Sequence, residues 1–490
     1  MSINKKRFSL AALICAEILI LGLLILAQDL EANIKINPAT PNTAQVSGKM
    51  SKPRKANWFF IKTIVNADNL GARISDLQLF DEQNRAVIVK KFTDGEYLAD
   101  SEATYFQYRI NLESLPNAAT KAHVSWISDE QGILMLDDLL PQSEAFNRKV
   151  SAKIKIEMPD DWKIFSIEKN VFENVFDVES VGKAVFAIGK GWRETKTANL
   201  NLLIADRWQF TDAEAAQMAD AVYEEYKKMF GETPNGKTQI FLKHLPKEFR
   251  FGRWKAETRG RTLTILSADE PFKSQSIQLL HEQLRHELFH LWIPNNLDLT
   301  GNYDWFYEGF TVYQALRTGL QMNQIRFEDF LATLAEAYRF DGFQTDKVSL
   351  IESSKNRWSG TNPQVYARGM LIAFLCDVAT LKDGKDNHSI ENVFRDIYRK
   401  HSFPNKEVDG NTAILNVLRT YKSLDSIVKK HIEGAENIAW ETVLKTIGIE
   451  MTTENSFVKL RVKAKLSGRQ KDLLDELGYS NWQKLSQKSK

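Results

Sequence analysis

His286 and His290 stand four residues apart, and Glu287 follows the first of them directly. On an α-helix that spacing puts both imidazoles on one face, one turn apart. H-E-x-x-H is the pattern in which two histidines hold zinc and the glutamate acts on a water. The chain has only 8 His, so composition alone would produce the pattern with a chance on the order of 1 in 100. A catalytic zinc takes three protein ligands and leaves one position open. Glu308, 18 positions beyond His290 (308 − 290), is the candidate third ligand. It lies in Trp305-Phe306-Tyr307-Glu308-Gly309-Phe310, and a carboxylate set among large apolar residues departs from the usual solvated glutamate. His281 lies five positions before His286 and is rotated away from it on a helix; His244, His388, His401 and His431 have no partner at ligand spacing. Zinc held at such a site lowers the pKa of water toward about 7 and polarises a carbonyl. Glu287 is then placed to take the water proton as general base and pass it to a leaving amine.

The elements that must position these groups are readable from periodicity. Ile277, Leu280, Leu284, Leu288 and Leu291 recur at steps of three or four, which predicts an amphipathic helix through the motif, ending near Pro294. A second helix is expected over residues 305–318, with Asp304 as N-cap and Gly319 as its stop. The resulting helical hairpin would bring Glu308 to the two histidines. Upstream, residues 212–230 read as an amphipathic helix capped by Thr211, and residues 238–242 and 262–266 as strands. Downstream, residues 327–338, 365–381, 389–400, 412–421 and 440–447 read as helices. Residues 57–205 have strand character: 58–65, 86–89 and 105–110 are rich in aromatic and β-branched residues. Ile154, Ile156 and Met158 alternate with Lys153, Lys155 and Glu157. His123 stands alone there and reads as structural. Pro38, Pro41, Pro53 and Gly48 break periodicity across residues 33–56, which read as a linker.

At the N-terminus, Lys5-Lys6-Arg7 precede an apolar run over residues 8–27. The run is about long enough to cross a bilayer, and the basic flank predicts a cytoplasmic N-terminus with the body outside. A cleaved signal peptide and an uncleaved anchor both remain open; either exports the body, and the anchor makes the membrane a partner. The chain has 2 Cys, Cys15 in this run and Cys376 in a helical stretch, so no disulfide framework is available. Cys376 reads as a small core residue. A formal net charge of +2 over 490 residues gives no support for nucleic acid as a partner. The expected architecture is multidomain α+β. A signal peptide or anchor (1–32) and the linker (33–56) precede a β-sandwich-like domain (57–205). A zinc domain (206–385), which the resemblance that follows makes thermolysin-like, and a C-terminal helical domain (386–490) come after it.

His286-Glu287-Leu288-Phe289-His290-Leu291-Trp292, followed by Trp305-Phe306-Tyr307-Glu308-Gly309-Phe310-Thr311-Val312-Tyr313, resembles the gluzincin zinc metallopeptidases. The similarity is to the glycyl aminopeptidase family and its relative, the aminopeptidase N family. In both, H-E-x-x-H-x-W is followed by W-x-x-E-G-F-[TA]-x-Y. The resemblance implies zinc-dependent peptide-bond hydrolysis, with His286, His290 and Glu308 as metal ligands and Glu287 as base. It implies an oxyanion donor at Tyr366, in Val365-Tyr366-Ala367-Arg368-Gly369-Met370. It also implies a glutamate upstream of the motif helix that binds the substrate amine. Trp254-Lys255-Ala256-Glu257-Thr258-Arg259 is the nearest match, without the family's glycines, and gives Glu257. The gap from His290 to Glu308 is nearer that of the aminopeptidase N family, and the C-terminus has no room for the PDZ domain common in the other. Arg253, Arg259 and Arg261 read as a solvated strand face. The expected partner is a peptide or protein substrate. The alternative from another class is a peptidase-fold binding or scaffold protein at the membrane surface that does not turn over.

Overall fold

The computed structural model describes residues 28–481 apart from 38, 41, 55–56, 66, 118–119, 129, 143–149, 235, 246–253, 269, 345–346, 384–388 and 455–456. The expected N-terminal hydrophobic helix lies outside the described residues. The chain divides into two compact units, one of residues 1–114 and 124–190, the other of residues 115–123 and 191–490.

The first unit is built from β-sheets around one apolar core. Its eight-stranded sheet has Leu30–Ile36 among its inner strands, parallel to Ala152–Glu157 on one side and antiparallel to Thr43–Arg54 on the other. Leu30, Ala32, Ile34 and Ile36 are buried while Glu31 and Lys35 face solvent, the period-two pattern of a half-buried strand. This corrects the expected linker: residues 30–36 and 43–54 are sheet. Three prolines and a glycine suggested a break. Gly48, however, lies within the strand where Phe106 and the Glu31 carbonyl leave no space for a Cβ.

The second unit carries a five-stranded sheet in the order Arg193–Lys196, Leu200–Ile204, Thr238–His244, Thr262–Ser267, Trp254–Arg259. The three middle strands are parallel and the two edges antiparallel. Thr238–His244 and Thr262–Ser267 are buried almost throughout, as parallel strands covered on both faces must be. The boundary therefore falls near residue 190 rather than 205, because Arg193–Lys196 and Leu200–Ile204 pair into this sheet. Helix Asp212–Phe230 follows, closed at its start by a Thr211/Glu214 capping box and at its end by Gly231 at φ 76.

The motif helix, Lys273–Phe289, buries Leu280, Leu284 and Leu288. Helices Thr311–Gln321, Phe327–Phe343, Asn362–Asp383, Ile390–His401, Gly410–Leu418, Trp440–Thr446 and Gly468–Glu476 come after it. They share a single apolar core with the sheet and the motif helix. A separate domain beginning at residue 386 is thus corrected to a continuation of the same unit, which also holds a hairpin of Ile449–Glu454 and Phe457–Val462. Asn362–Asp383 is apolar and long enough to cross a bilayer, but its apolar stretch is 83% buried in the protein; it is the core helix of this unit.

Candidate metal centre

The motif helix ends at Phe289, and His290 is its C-cap, still in helical conformation (φ −63, ψ −14). The i,i+4 register therefore survives, and the two rings meet edge to face with centroids 4.7 Å apart. Trp292, two residues on, stacks on Phe230 and donates to the Glu232 carbonyl, which fixes the chain beyond the helix. Asn295 accepts from the Gly260 amide and donates to the Thr258 carbonyl, so the turn after the motif is tied to the sheet edge.

Glu308 comes from a π-helical turn, Trp305–Phe310, that leads into Thr311–Gln321. Such turns concentrate at functional sites. The Trp305 amide donates to Ser354 and its indole to Asn411. Gly319 does not stop this helix; it lies inside it, where Arg285 packs against its bare Cα. Tyr366 sits in the first turns of Asn362–Asp383. The two helices cross at Gly309 and Gly369. A Cβ on Gly309 would lie 2.5 Å from the Gly369 Cα, and one on Gly369 would lie 2.8 Å from the Gly309 Cα. Both contacts are with backbone, so only glycine permits this approach. The crossing sets Glu308, one residue before Gly309, beside Tyr366, three residues before Gly369.

His286, His290 and Glu308 offer one ligand atom each, all within 4.8 Å of one another. His290 Nε2 is 3.1 Å from His286 Nε2. Glu308 Oε2 is 3.3 Å from His286 Nε2 and 3.6 Å from His290 Nε2. Tetrahedral zinc at about 2.0–2.1 Å from its ligands separates them by about 3.3 Å, so this triangle has the size of one zinc face. Glu308 Oε2 is buried and makes no hydrogen bond of normal geometry among the described residues, which is what an oxygen reserved for a cation requires. His290 Nδ1 lies 3.0 Å from the Ile293 carbonyl, a contact that puts the ring proton on Nδ1 and leaves Nε2 free to ligate. The three residues fit zinc.

The electrostatics agree. Burial pushes the Glu308 carboxyl up, but the two histidines close to it and the Arg357 charge prevail and hold it well below the usual range. Burial lowers His290, and Glu308 then raises it to about 9; the cluster attracts a cation. Glu287 is buried, and that burial raises its carboxyl above the ordinary value against the pull of the two histidines. Its Oε2 accepts from Thr258 Oγ1 at 2.6 Å. A raised, oriented carboxylate beside a cation site suits a general base.

No family model matches the sequence, and no curated protein matches it. The structure is similar to solved metallopeptidases. An aminopeptidase N family protein from Idiomarina loihiensis aligns with a TM-score of 0.73 at 15% identity, over 90% of this chain and 82% of that one. An M1 zinc metallopeptidase from Deinococcus radiodurans, a mutant bound to a Tyr-Ser-Ala substrate, aligns with a TM-score of 0.53 at 13% identity, over 84% and 95%. A two-domain M1 zinc metallopeptidase bound to L-tryptophan gives 0.52 at 13% identity, over 84% and 95%. The chain has the aminopeptidase N fold. These likenesses lie on the aminopeptidase N side of the expected relationship. The glycyl aminopeptidase likeness rests on the motifs alone.

Within the aminopeptidase fold, two further residues reach the metal centre that the motifs did not reveal. Arg357 donates from Nη2 to Glu308 Oε1 at 3.1 Å and to the Tyr366 hydroxyl at 2.7 Å, and from Nη1 to Asp304 at 2.6 Å. Asp304 makes no capping bond; it accepts from Arg357 and from the Tyr307 hydroxyl instead, which corrects its expected role. Thr258 is the other, through Glu287. Tyr366 keeps its proton: burial and the Glu308 charge push its hydroxyl well above the ordinary value, against Arg357.

The strand Trp254–Arg259, at the edge of the sheet, pairs only with Thr262–Ser267 among the described residues. Glu257 stands there beside Thr258. Its Oε2 lies 2.5 Å from His123 Nδ1 and its Oε1 3.6 Å from Arg259 Nε. His123 is therefore not an isolated residue of the β domain but part of the second unit. Arg259 is 9% exposed and donates to the His123 carbonyl, so it does not form a solvated face. Arg261 lies in the exposed turn and donates to the Lys237 carbonyl. Arg253 is outside the described residues.

Proposed function

We propose that the chain is a zinc-dependent peptidase with the aminopeptidase N fold that hydrolyses peptide bonds at His286, His290 and Glu308. The observation that carries this reading is the 3.1–3.6 Å triangle of ligand atoms with the Glu287 carboxylate, fixed by Thr258, beside it. Zinc bound there supplies Lewis acidity to the scissile carbonyl and to the attacking water. Glu287 takes the water proton and hands it to the departing amine. Tyr366, a protonated hydroxyl held by Arg357, donates to the oxygen that gains charge as water adds. Apart from the Thr258 carbonyl, which Asn295 occupies, the outer side of Trp254–Arg259 has no strand partner among the described residues and offers main-chain groups to an extended peptide, which supports a peptide or unstructured protein as substrate. The binding-only alternative is not favoured, since it leaves the ordered Glu287 and Tyr366 without a task.

The test is hydrolysis of amino-acid amides and of an unstructured protein by the purified chain. Activity should require metal, fall to background with chelator and return with zinc. Glu287→Gln should retain zinc and lose turnover. Full activity in that variant would remove Glu287 from the base role. We further propose that the body is exported, on the strength of Lys5-Lys6-Arg7 and the apolar run after them. Protease accessibility in intact cells checks this, and protection of the whole chain would overturn it.

A further inference from the structure

The family resemblance makes Glu257 the holder of a substrate's free amine, yet its carboxylate is already engaged. The His123 ring lies 2.5 Å from one oxygen, and the Arg259 guanidinium 3.6 Å from the other. Arg259 also donates from Nη2 to the His123 carbonyl at 2.8 Å, so the three residues close on one another. The His123 and Arg259 side chains are only 14% and 10% exposed. His123 is delivered by a built turn. Its amide donates to the Thr120 carbonyl, and the Thr120 amide and hydroxyl return to the Asn117 carbonyl. Thr120, Lys121 and Ala122 are all buried. The segment 115–123 leaves the strands on either side of it and packs with the catalytic unit. The result is a carboxylate whose charge is already balanced by a guanidinium, with an imidazole on its remaining face. Glu257 is close enough to Glu308 and Glu287 for their charges to act on one another, so whatever it binds sits next to the reacting bond.

An α-ammonium gains most from a carboxylate that has no cation of its own. Here it would meet a group of net charge zero or above and would have to displace the His123 ring. An uncharged amide meets no such opposition, since Glu257 retains acceptor capacity and an N–H donor requires no counter-charge. We propose that His123 and Arg259 convert Glu257 from an amine anchor into an internally paired carboxylate, so that the site takes peptides whose group at this position is an uncharged amide, as in internal or N-acylated segments, rather than a free N-terminus. His123 is then the positioning residue that sets specificity. This rests on the hydrolytic reading above and deepens it.

The experiment compares two peptides identical but for a free or an acetylated N-terminus. In the native enzyme the acetylated peptide should have the higher kcat/KM, or one within about tenfold of the free peptide's. His123→Ala, with His123→Gln as the second variant, should raise the preference for the free amine by about tenfold or more, with zinc content unchanged. Glu257→Gln should alter both peptides alike. A native preference for the free amine above about tenfold, lost in Glu257→Gln, would overturn the proposal and restore the amine anchor. The same pair is titrated by calorimetry against zinc-loaded Glu287→Gln, which binds without turnover. If neither peptide is cleaved by the native chain, the hydrolytic reading fails. The binding ratio still decides the state of Glu257: comparable affinities support pairing with His123, and selective binding of the free amine refutes it.

Discussion

The helix side and the strand side of the centre each set a glutamate between an arginine and imidazole, and they differ in how many imidazoles converge on it. On the helix side, Glu308 keeps Oε2 clear of hydrogen bonds and aims it at two histidines. On the strand side, Glu257 has both oxygens near cationic or protonatable groups of the chain itself. Each carboxylate has a guanidinium beside it, Arg357 at 3.1 Å from Glu308 and Arg259 at 3.6 Å from Glu257; Glu308 faces two ring nitrogens that converge with it on one point, whereas Glu257 meets a single imidazole. A buried carboxylate must be balanced, and the convergence of further ligand atoms on it separates a cation site from a finished ion pair. Glu287 stands between the two: burial raises its carboxyl and one hydroxyl orients it.

The sharpest break of this comparison is at Glu287 itself. Glu287→Gln preserves shape and the contact with Thr258 but cannot accept a proton. Its kcat should fall toward the upper end of the roughly 10²–10⁴-fold attributed to a positioned base, with zinc content unchanged by metal analysis. Tyr366→Phe comes next. It leaves Arg357 and Glu308 in place and removes one donor, which should cost about 10²–10³ in kcat while KM for short peptides barely moves. If Tyr366→Phe alters only KM, the hydroxyl binds substrate and does not stabilise charge.

The helix side was legible because its geometry is local. A spacing of four residues puts two histidines on one face, and the apolar setting of Glu308 marks the carboxylate that the structure brings to them. The helices after the motif were placed well by periodicity, and the Thr211 cap was found where expected. Arg357 escaped because nothing in Lys355-Asn356-Arg357-Trp358 announces a partner nine residues on. His123 escaped more thoroughly: it is 134 positions before Glu257 (257 − 123) and was assigned to the wrong unit with the strands around it. The strands of residues 30–36 and 43–54 were hidden by prolines, which weaken a strand pattern without forbidding it at turns and bulges. The register of Thr43–Arg54 does shift between Lys49 and Arg54, around Pro53. What local spacing decides can be read; what long-range pairing decides cannot.

Two predictions probe how rigidly the helix side must be built. Gly369→Ala places a methyl 2.8 Å from the Gly309 Cα and 2.9 Å from the Trp305 carbonyl. The helices must part, at a cost of about 1–3 kcal/mol in stability by denaturant titration. The same movement carries Tyr366 from Glu308, and a displacement near 1 Å can cost on the order of 10²-fold in rate. Unchanged activity with lowered stability would show that the crossing serves packing alone. Arg357→Lys keeps the charge but loses the fork that reaches Asp304, Glu308 and Tyr366 together. We expect about a tenfold fall in kcat, with zinc and KM retained. Equal losses in zinc content and kcat would instead assign Arg357 to holding Glu308.

The smallest expected effect lies where the two sides touch. Thr258 belongs to the edge strand, one residue from Glu257, but its hydroxyl donates to the Glu287 carboxylate at 2.6 Å and to the Glu287 carbonyl at 3.0 Å. It is the one side chain of this strand shown to hold the base. Thr258→Val keeps the β-branched shape that suits a strand and removes the donor. A neutral hydrogen bond to a charged acceptor contributes about 1.5–3 kcal/mol, but Thr258 is only half-buried and water can replace part of it. The net loss in kcat should therefore be about three- to tenfold, with Thr258→Ser restoring most of it. The ratio of free to acetylated substrate is the more telling number. If Thr258→Val lowers kcat equally for both peptides, the strand acts on the base and on the substrate through separate side chains. If it also shifts the ratio, the His123 clamp and the base are coupled through the strand, and the division between a helix side and a strand side no longer holds.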